Sequence, residues 1–219
     1  MKKCKTIQSQ FISKSRLDGY NNLKEYKENI LLSKSFYIPL SIVEISLKNS
    51  LNNYFVNTIG TNWLFDKNFI KPQLQNKINS AIVILEQNNK LYKKNKKINQ
   101  NNLVSELSFG FWIMLLKKPY QQYLRYNDLK KIFPNLPSKK DKSINRHFIF
   151  TKLNNIRLFR NKVFHHDKII GKIEYQNMIN EIYEILSYFD KEIVHITKDL
   201  NKMKVSIITS KKRKRVIKQ

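Results

Sequence analysis

Read for spacing alone, the chain is a succession of helical faces. Leu23, Tyr26, Ile30 and Leu31 follow one another at steps of three, four and one, which predicts a helix over Leu23–Ser33. Leu40, Val43, Leu47, Leu51 and Tyr54 continue the pattern in a second predicted helix from Pro39 to Ile59. Pro39 fits a first turn, where a missing N–H costs nothing, and Gly60 fits a terminus. Glu44 and Lys48 stand four apart beside that ladder and are expected to pair. Trp63-Leu64-Phe65 reads as an apolar plug. Lys71-Pro72 opens a third helix, to about Asn88, with Leu74, Ile78, Ala81, Ile82 and Leu85 as its buried side.

From Asn88 to Asn102 the pattern lapses into Asn and Lys, which predicts a surface loop, either simply solvated or a contact for nucleic acid. Leu103 to Leu116 is apolar nearly all round and predicts one central buried helix, ended by Pro119. A further helix is expected from Tyr120 to Phe133, then one carrying Asn154–Asp167, then a long one over Lys172–Asp199. Strand-like alternation is missing, so the fold class is all-α. The expected organisation is a single domain over 1–200 followed by a basic tail, 201–219.

Composition sharpens this picture in two ways. With 4 Gly and 5 Pro in 219 residues, long helices are favoured over many short strands, and 41% hydrophobic residues suffice for a sizeable core. One cysteine, Cys4, excludes an intramolecular disulfide framework and a cysteine-rich zinc site. The start lacks an apolar stretch of the signal-peptide kind, and the apolar run Phe109–Leu116 is too short to span a bilayer. A cytoplasmic protein without a membrane partner is the expectation.

Charge changes the picture more. Lys and Arg number 42 against 16 acids, a net of +26. Drift toward Lys, Asn and Ile would raise Glu as well, yet acids are scarce. A polyanionic partner accounts for the imbalance, because basic side chains gain affinity by displacing counterions from phosphates. RNA is the expected partner, with DNA as a weaker option.

One stretch carries candidate chemistry. Arg160, Asn161 and His165 form R-N-x-x-x-H in a segment that otherwise reads as helix. A guanidinium grips phosphate in a fork at any relevant pH, and an imidazole exchanges a proton near neutrality. Each helical residue turns by about 100°, so Arg157, Asn161 and His165 share a stripe while Arg160 is splayed from His165 by roughly 140°. Either the helix breaks near His165-His166-Asp167, or a second copy faces the motif across a two-fold axis. His165-His166-Asp167 is a poor metal site, since adjacent residues point apart and no partner cluster is visible. No metal and no cofactor are expected.

On these residues the chain resembles the HEPN-domain ribonucleases, of which R-N-x-x-x-H is the signature, and within them the Abi-like (AbiD/AbiF) phage-defence branch. The supporting stretches are Ile42–Asn49, Gly60–Trp63, Glu106–Trp112 and Leu158–Asp167, in that order along residues 20–190. Lys48 stands where Arg is expected, and Asp167 where Glu is common. The resemblance implies a helical bundle with additional N-terminal helices, active as a homodimer that pairs two motifs. It implies metal-independent cleavage of RNA to a 2′,3′-cyclic phosphate. His165 would be general acid or base, Arg160 would stabilise the phosphorane, and Asn161 would orient its neighbours. Arg157, Lys162 and His166 are candidate further phosphate contacts. So is the tail run Lys211, Lys212, Arg213, Lys214 and Arg215. The alternative is a ribonucleoprotein whose dimer holds a small structured non-coding RNA, with the site silent or restrained.

Overall fold

The computed structural model describes residues 12–93, 97–141 and 143–201. Among these the regular structure is helical, without strands. The helices are α1 (Lys14–Leu17), α2 (Leu23–Thr58), α3 (Pro72–Leu91), α4 (Gln100–Glu106), α5 (Phe109–Met114), α6 (Tyr126–Ile132), α7 (Arg146–Phe164), α8 (Met178–Phe189) and α9 (191–201). Short 3₁₀ turns cover Trp63–Phe65, Lys118–Tyr123 and Ile173–Tyr175. Asparagine starts many of them. The side-chain oxygens of Asn22, Asn99 and Asn145 accept the amides of Glu25, Asn102 and Phe148, capping α2, α4 and α7.

The centre of the molecule is α2, which runs for 36 residues and packs against α8, α7, α5 and α6. Its buried side is Asn29, Ser33, Phe36, Leu40, Val43, Leu47 and Leu51, a single ladder through what the sequence divides into two helices. Pro39 therefore sits inside the helix and not in a first turn. Its missing N–H leaves the carbonyl of Ser35 without the usual i+4 donor, and Asn201 Nδ2 of α9 donates to that oxygen at 3.0 Å. By length and composition α2 is apolar enough to cross a bilayer. About a third of that apolar stretch is buried in the bundle, while Leu31 and Ile45 remain exposed. The helix ends where expected: Gly60, at φ 133°, donates its amide to the carbonyl of Phe55.

Other boundaries differ from expectation for identifiable reasons. The predicted loop after Asn88 is shorter, because α3 continues to Leu91 and α4 begins at Gln100, whose buried side chain bonds Asn52 and the amide of Leu64. The expected helix over Leu103–Leu116 is two, broken where Leu107 turns extended. The indole of Trp112 donates to the Leu107 carbonyl that the break leaves free. The expected helix from Tyr120 is a 3₁₀ turn followed by α6. The final helix is interrupted at extended Asp190, where the amide of Asn135 takes the freed carbonyl of Tyr188. Periodicity survives each break. Continuity does not, because a neighbour supplies the lost hydrogen bond.

Trp63 and Leu64 are buried, Phe65 is not. Trp63 packs on Phe55 and Trp112 with ring centroids 5.1 and 6.0 Å apart, and its indole N–H donates to Asn52. This aromatic cluster fixes the lower half of α2. Its upper half, from Leu23 to Leu40, meets the end of α7.

Candidate functional site

α7 is positioned by Ile149, Leu153, Ile156, Phe159 and Val163, which are buried at helical spacing. Phe159 makes an edge contact with Phe36 of α2, centroids 4.7 Å apart. That burial directs the polar residues between them outward and sideways.

Arg160 turns toward α2. Its Nη2 lies 3.3 Å from Oε2 of Glu44, and its guanidinium carbon sits 4.3 Å above the ring of Phe164, which in turn packs on Tyr37. The carboxylate fixes one side of the guanidinium and the ring fixes its plane. Its Nε is buried and has no hydrogen-bond partner, an unmet donor of the kind that marks strained or functional positions. Glu44 thus goes to Arg160, and the expected Glu44–Lys48 pair gives way to it. The tertiary partner wins because Arg160 offers a planar fork backed by an aromatic face.

The helix breaks where the sequence left that option open. His165 is the C-cap, with φ −87° and ψ 4°, and His166 follows in the left-handed region at φ 57°. The amide of His166 bonds the carbonyl of Val163, and that of Asp167 the carbonyl of Lys162, a Schellman ending in which His occupies the position usually held by Gly. Where such endings commonly close with an apolar contact, this one closes with an ion pair, Lys162 to Asp167 at 3.0 Å. That hydrogen bond, and the charge behind it, raises the Lys162 ammonium above its ordinary value. No metal-ligating group of three or more His, Cys, Asp or Glu occurs among the described residues.

His165 is exposed at this terminus, and Asn161 is half-buried one turn before it. No hydrogen bond joins Arg160 to His165 among the described residues: the first engages α2 and the second faces outward. Arg157 is used locally, Nε and Nη2 both donating to Asn154 Oδ1, while its stem lies against Gly110 of α5. His166 lines an open apolar groove with Tyr26, Lys27, Ile30 and Leu31. Lys211, Lys212, Arg213, Lys214 and Arg215 lie outside the described residues.

Several residues that hold this end of α7 escape a sequence reading. Asn29 is fully buried. Its Oδ1 accepts the amides of Ile169 and Ile170 at 2.8 and 3.0 Å, and its Nδ2 donates to the Asp167 carbonyl at 3.1 Å. Arg16 donates to the carbonyl of His166 at 2.8 Å. Lys168 reaches Glu25 at 2.8 Å and the carbonyl of Gly19 at 2.9 Å. The one available signal was Asn29 itself, a polar residue in phase with the buried ladder of α2.

No family model, no curated protein and no solved structure matches this chain. Its chemistry therefore rests on its own side chains.

Proposed function

We propose that the protein is an RNA-binding, metal-independent endoribonuclease of the HEPN type, acting as a homodimer in an Abi-like phage-defence system. The observation that carries this reading is the end of α7, where a guanidinium oriented by Glu44 and Phe164 and an exposed imidazole stand five residues apart at a tied-down helix terminus.

In the proposed reaction the ribose 2′-oxygen attacks the adjacent phosphorus and the P–O5′ bond breaks. The 2′-hydroxyl proton passes to a base, and the departing 5′-oxygen gains one, leaving a 2′,3′-cyclic phosphate and a 5′-hydroxyl. His165 serves as one of these proton carriers. Arg160 neutralises charge on the phosphorane, and Asn161 orients the neighbouring groups. Since Arg160 and His165 diverge within one chain, a second copy completes the site. Exposed Leu158, seven residues before His165 and so on the same side of α7, supplies an apolar contact for that copy. Lys162, Arg157 and His166 are further phosphate contacts, the first two after exchanging Asp167 and Asn154 for substrate.

A second reading has its own observation. Glu44 already neutralises Arg160, and a net charge of +26 suits lasting occupancy by a structured RNA better than brief encounters. Incubating RNA with purified protein in the presence of chelator separates the two. Cyclic-phosphate ends that Arg160→Ala and His165→Ala each reduce by about 100-fold or more, with RNA binding retained, support the nuclease. A wild-type protein that carries one discrete RNA and cleaves none overturns it in favour of the ribonucleoprotein.

A further inference from the structure

The far end of α7 carries a second concentration of phosphate-binding chemistry. Residues 117–146 hold nine Lys or Arg and two acids, a steeper ratio than the 42 to 16 of the whole chain. The structure gathers part of this charge around a cleft of about 510 Å³ between α6, the 3₁₀ turn before it and the start of α7. Arg125, Lys139 and Arg146 line it, with Gln121 and Asn145 as neutral hydrogen-bonding groups and Leu124 and Ile144 as apolar floor. The volume lies within the range of small-ligand sites, enough for a nucleotide unit.

Two details give the cleft a polarity suited to nucleic acid. The ring of Tyr126 forms one wall, held by its hydroxyl bond to the carbonyl of Pro137 at 2.8 Å. Two ammonium groups converge on that ring, Lys139 at 4.7 Å and Lys130 at 5.9 Å from its centroid. Among the described residues no acid forms an ion pair with Arg125, Lys139 or Arg146. Asp128 is occupied by the amide of Arg125 and by Lys131, and Asp141 accepts from Ser138. Once a phosphate draws Lys139 off the ring, the Tyr126 face and the cations around it offer stacking and phosphate contact together, the combination that binds single-stranded nucleic acid. Arg146 is anchored by its bond to the carbonyl of Leu116, so one member of the set is held in place.

We infer that this cleft is a second RNA-docking site, gripping backbone phosphates and a base of the same strand whose other part lies at the Arg160–His165 end. The inference rests on RNA being the partner, but not on its being cleaved. α7 has 19 residues, so the two sites stand about 28 Å apart at 1.5 Å per residue. At roughly 3.4 Å per nucleotide along a stacked strand, some eight nucleotides bridge them. RNA affinity should therefore rise sharply once the strand exceeds that length.

The test uses the full chain with His165→Ala, to prevent cleavage, and 5′-labelled oligouridylates of 4, 12 and 24 nucleotides read by fluorescence anisotropy. Arg125→Gln/Lys139→Gln is compared with Lys77→Gln/Lys90→Gln, an exposed pair on α3 that removes the same charge. The expected result is a Kd raised about tenfold by the cleft pair on 12- and 24-nucleotide RNA, with the salt slope lowered by about 1.4, and a change under about twofold on the 4-nucleotide RNA. Lys139→Glu should weaken long-RNA binding further than Lys139→Gln. A loss no greater than that of the α3 pair, or one equal at every length, overturns the proposal. So does polyglutamate bound more tightly than the 24-nucleotide RNA with the same dependence on Arg125 and Lys139, which would assign the cleft to an acidic protein. Long-RNA binding that depends on the cleft, in a wild-type protein that yields no cyclic-phosphate ends, overturns the nuclease reading and supports this one.

Discussion

Asn29 shows how one side chain sets the geometry of a remote motif. It replaces three backbone partners for the segment after His165, in a place water does not reach. Asn29→Ala strands two amides and a carbonyl, and is expected to cost about 2–4 kcal/mol in urea unfolding. Asn29→Leu, which restores volume without partners, should recover little of that. Glu25 makes a smaller, titratable contribution. Its hydrogen bond to Lys168, then that from the amide of Asn21, holds its carboxyl below the ordinary glutamate value. A depressed folded value means the stabilisation is present above the unfolded value and fades as pH falls through the folded one. The difference in Tm between wild type and Glu25→Gln should be seen at neutral pH and vanish in strong acid. In the sequence Asn29 shows only as a polar residue in phase with a buried ladder, and Glu25 has no visible partner until Lys168 is brought across from 143 positions away.

At the scale of elements, hydrophobic spacing carried the helices and failed at their joints. The ladder of α2 passes through Pro39 without losing phase, yet proline chemistry argued for a boundary there. What overrides it is long-range: Asn201 supplies the hydrogen bond that Pro39 cannot. Trp112 does the reverse at Leu107, stabilising a break inside an unbroken apolar run. Both depend on partners that spacing does not encode. A double-mutant cycle checks the first. Asn201→Ala should cost about 0.5–1 kcal/mol in the wild type and close to nothing in Pro39→Ala, whose new N–H can bond the Ser35 carbonyl directly. Equal costs in both backgrounds would mean that the Asn201 contact is incidental.

For the whole molecule, the sequence spoke clearly about class and charge, and less clearly about how its cations are used. Arg157 and Lys162, both candidate phosphate ligands, are engaged with Asn154 and Asp167, while Arg125 and Lys139 line a cleft at the other end of the same helix. That cleft assembles from separate segments and has no motif to announce it. The two-copy reading of the site has a consequence for assembly. Leu158 is half-exposed on α7 and lies outside the core cluster, so Leu158→Glu should leave Tm within a few degrees of wild type. On the proposed reading it should nonetheless leave a monomer in sedimentation where the wild type is a dimer, and remove the proposed RNA cleavage. A monomer that still cleaves would place the whole reaction within one chain.

The first turns of α2 are tied to the segment after α7 by polar contacts of Asn29 and Glu25, beside the bond of Arg16 of α1 to His166, whereas its far half is wrapped in aromatic rings. Opening of the molecule should therefore begin at one end. The amides of Ile169 and Ile170 should exchange with solvent through a local event well below the free energy of global unfolding, while those around Leu47 and Leu51 wait for the whole bundle. Whatever loosens that clasp would slacken the imidazole-bearing turn while leaving the scaffold folded.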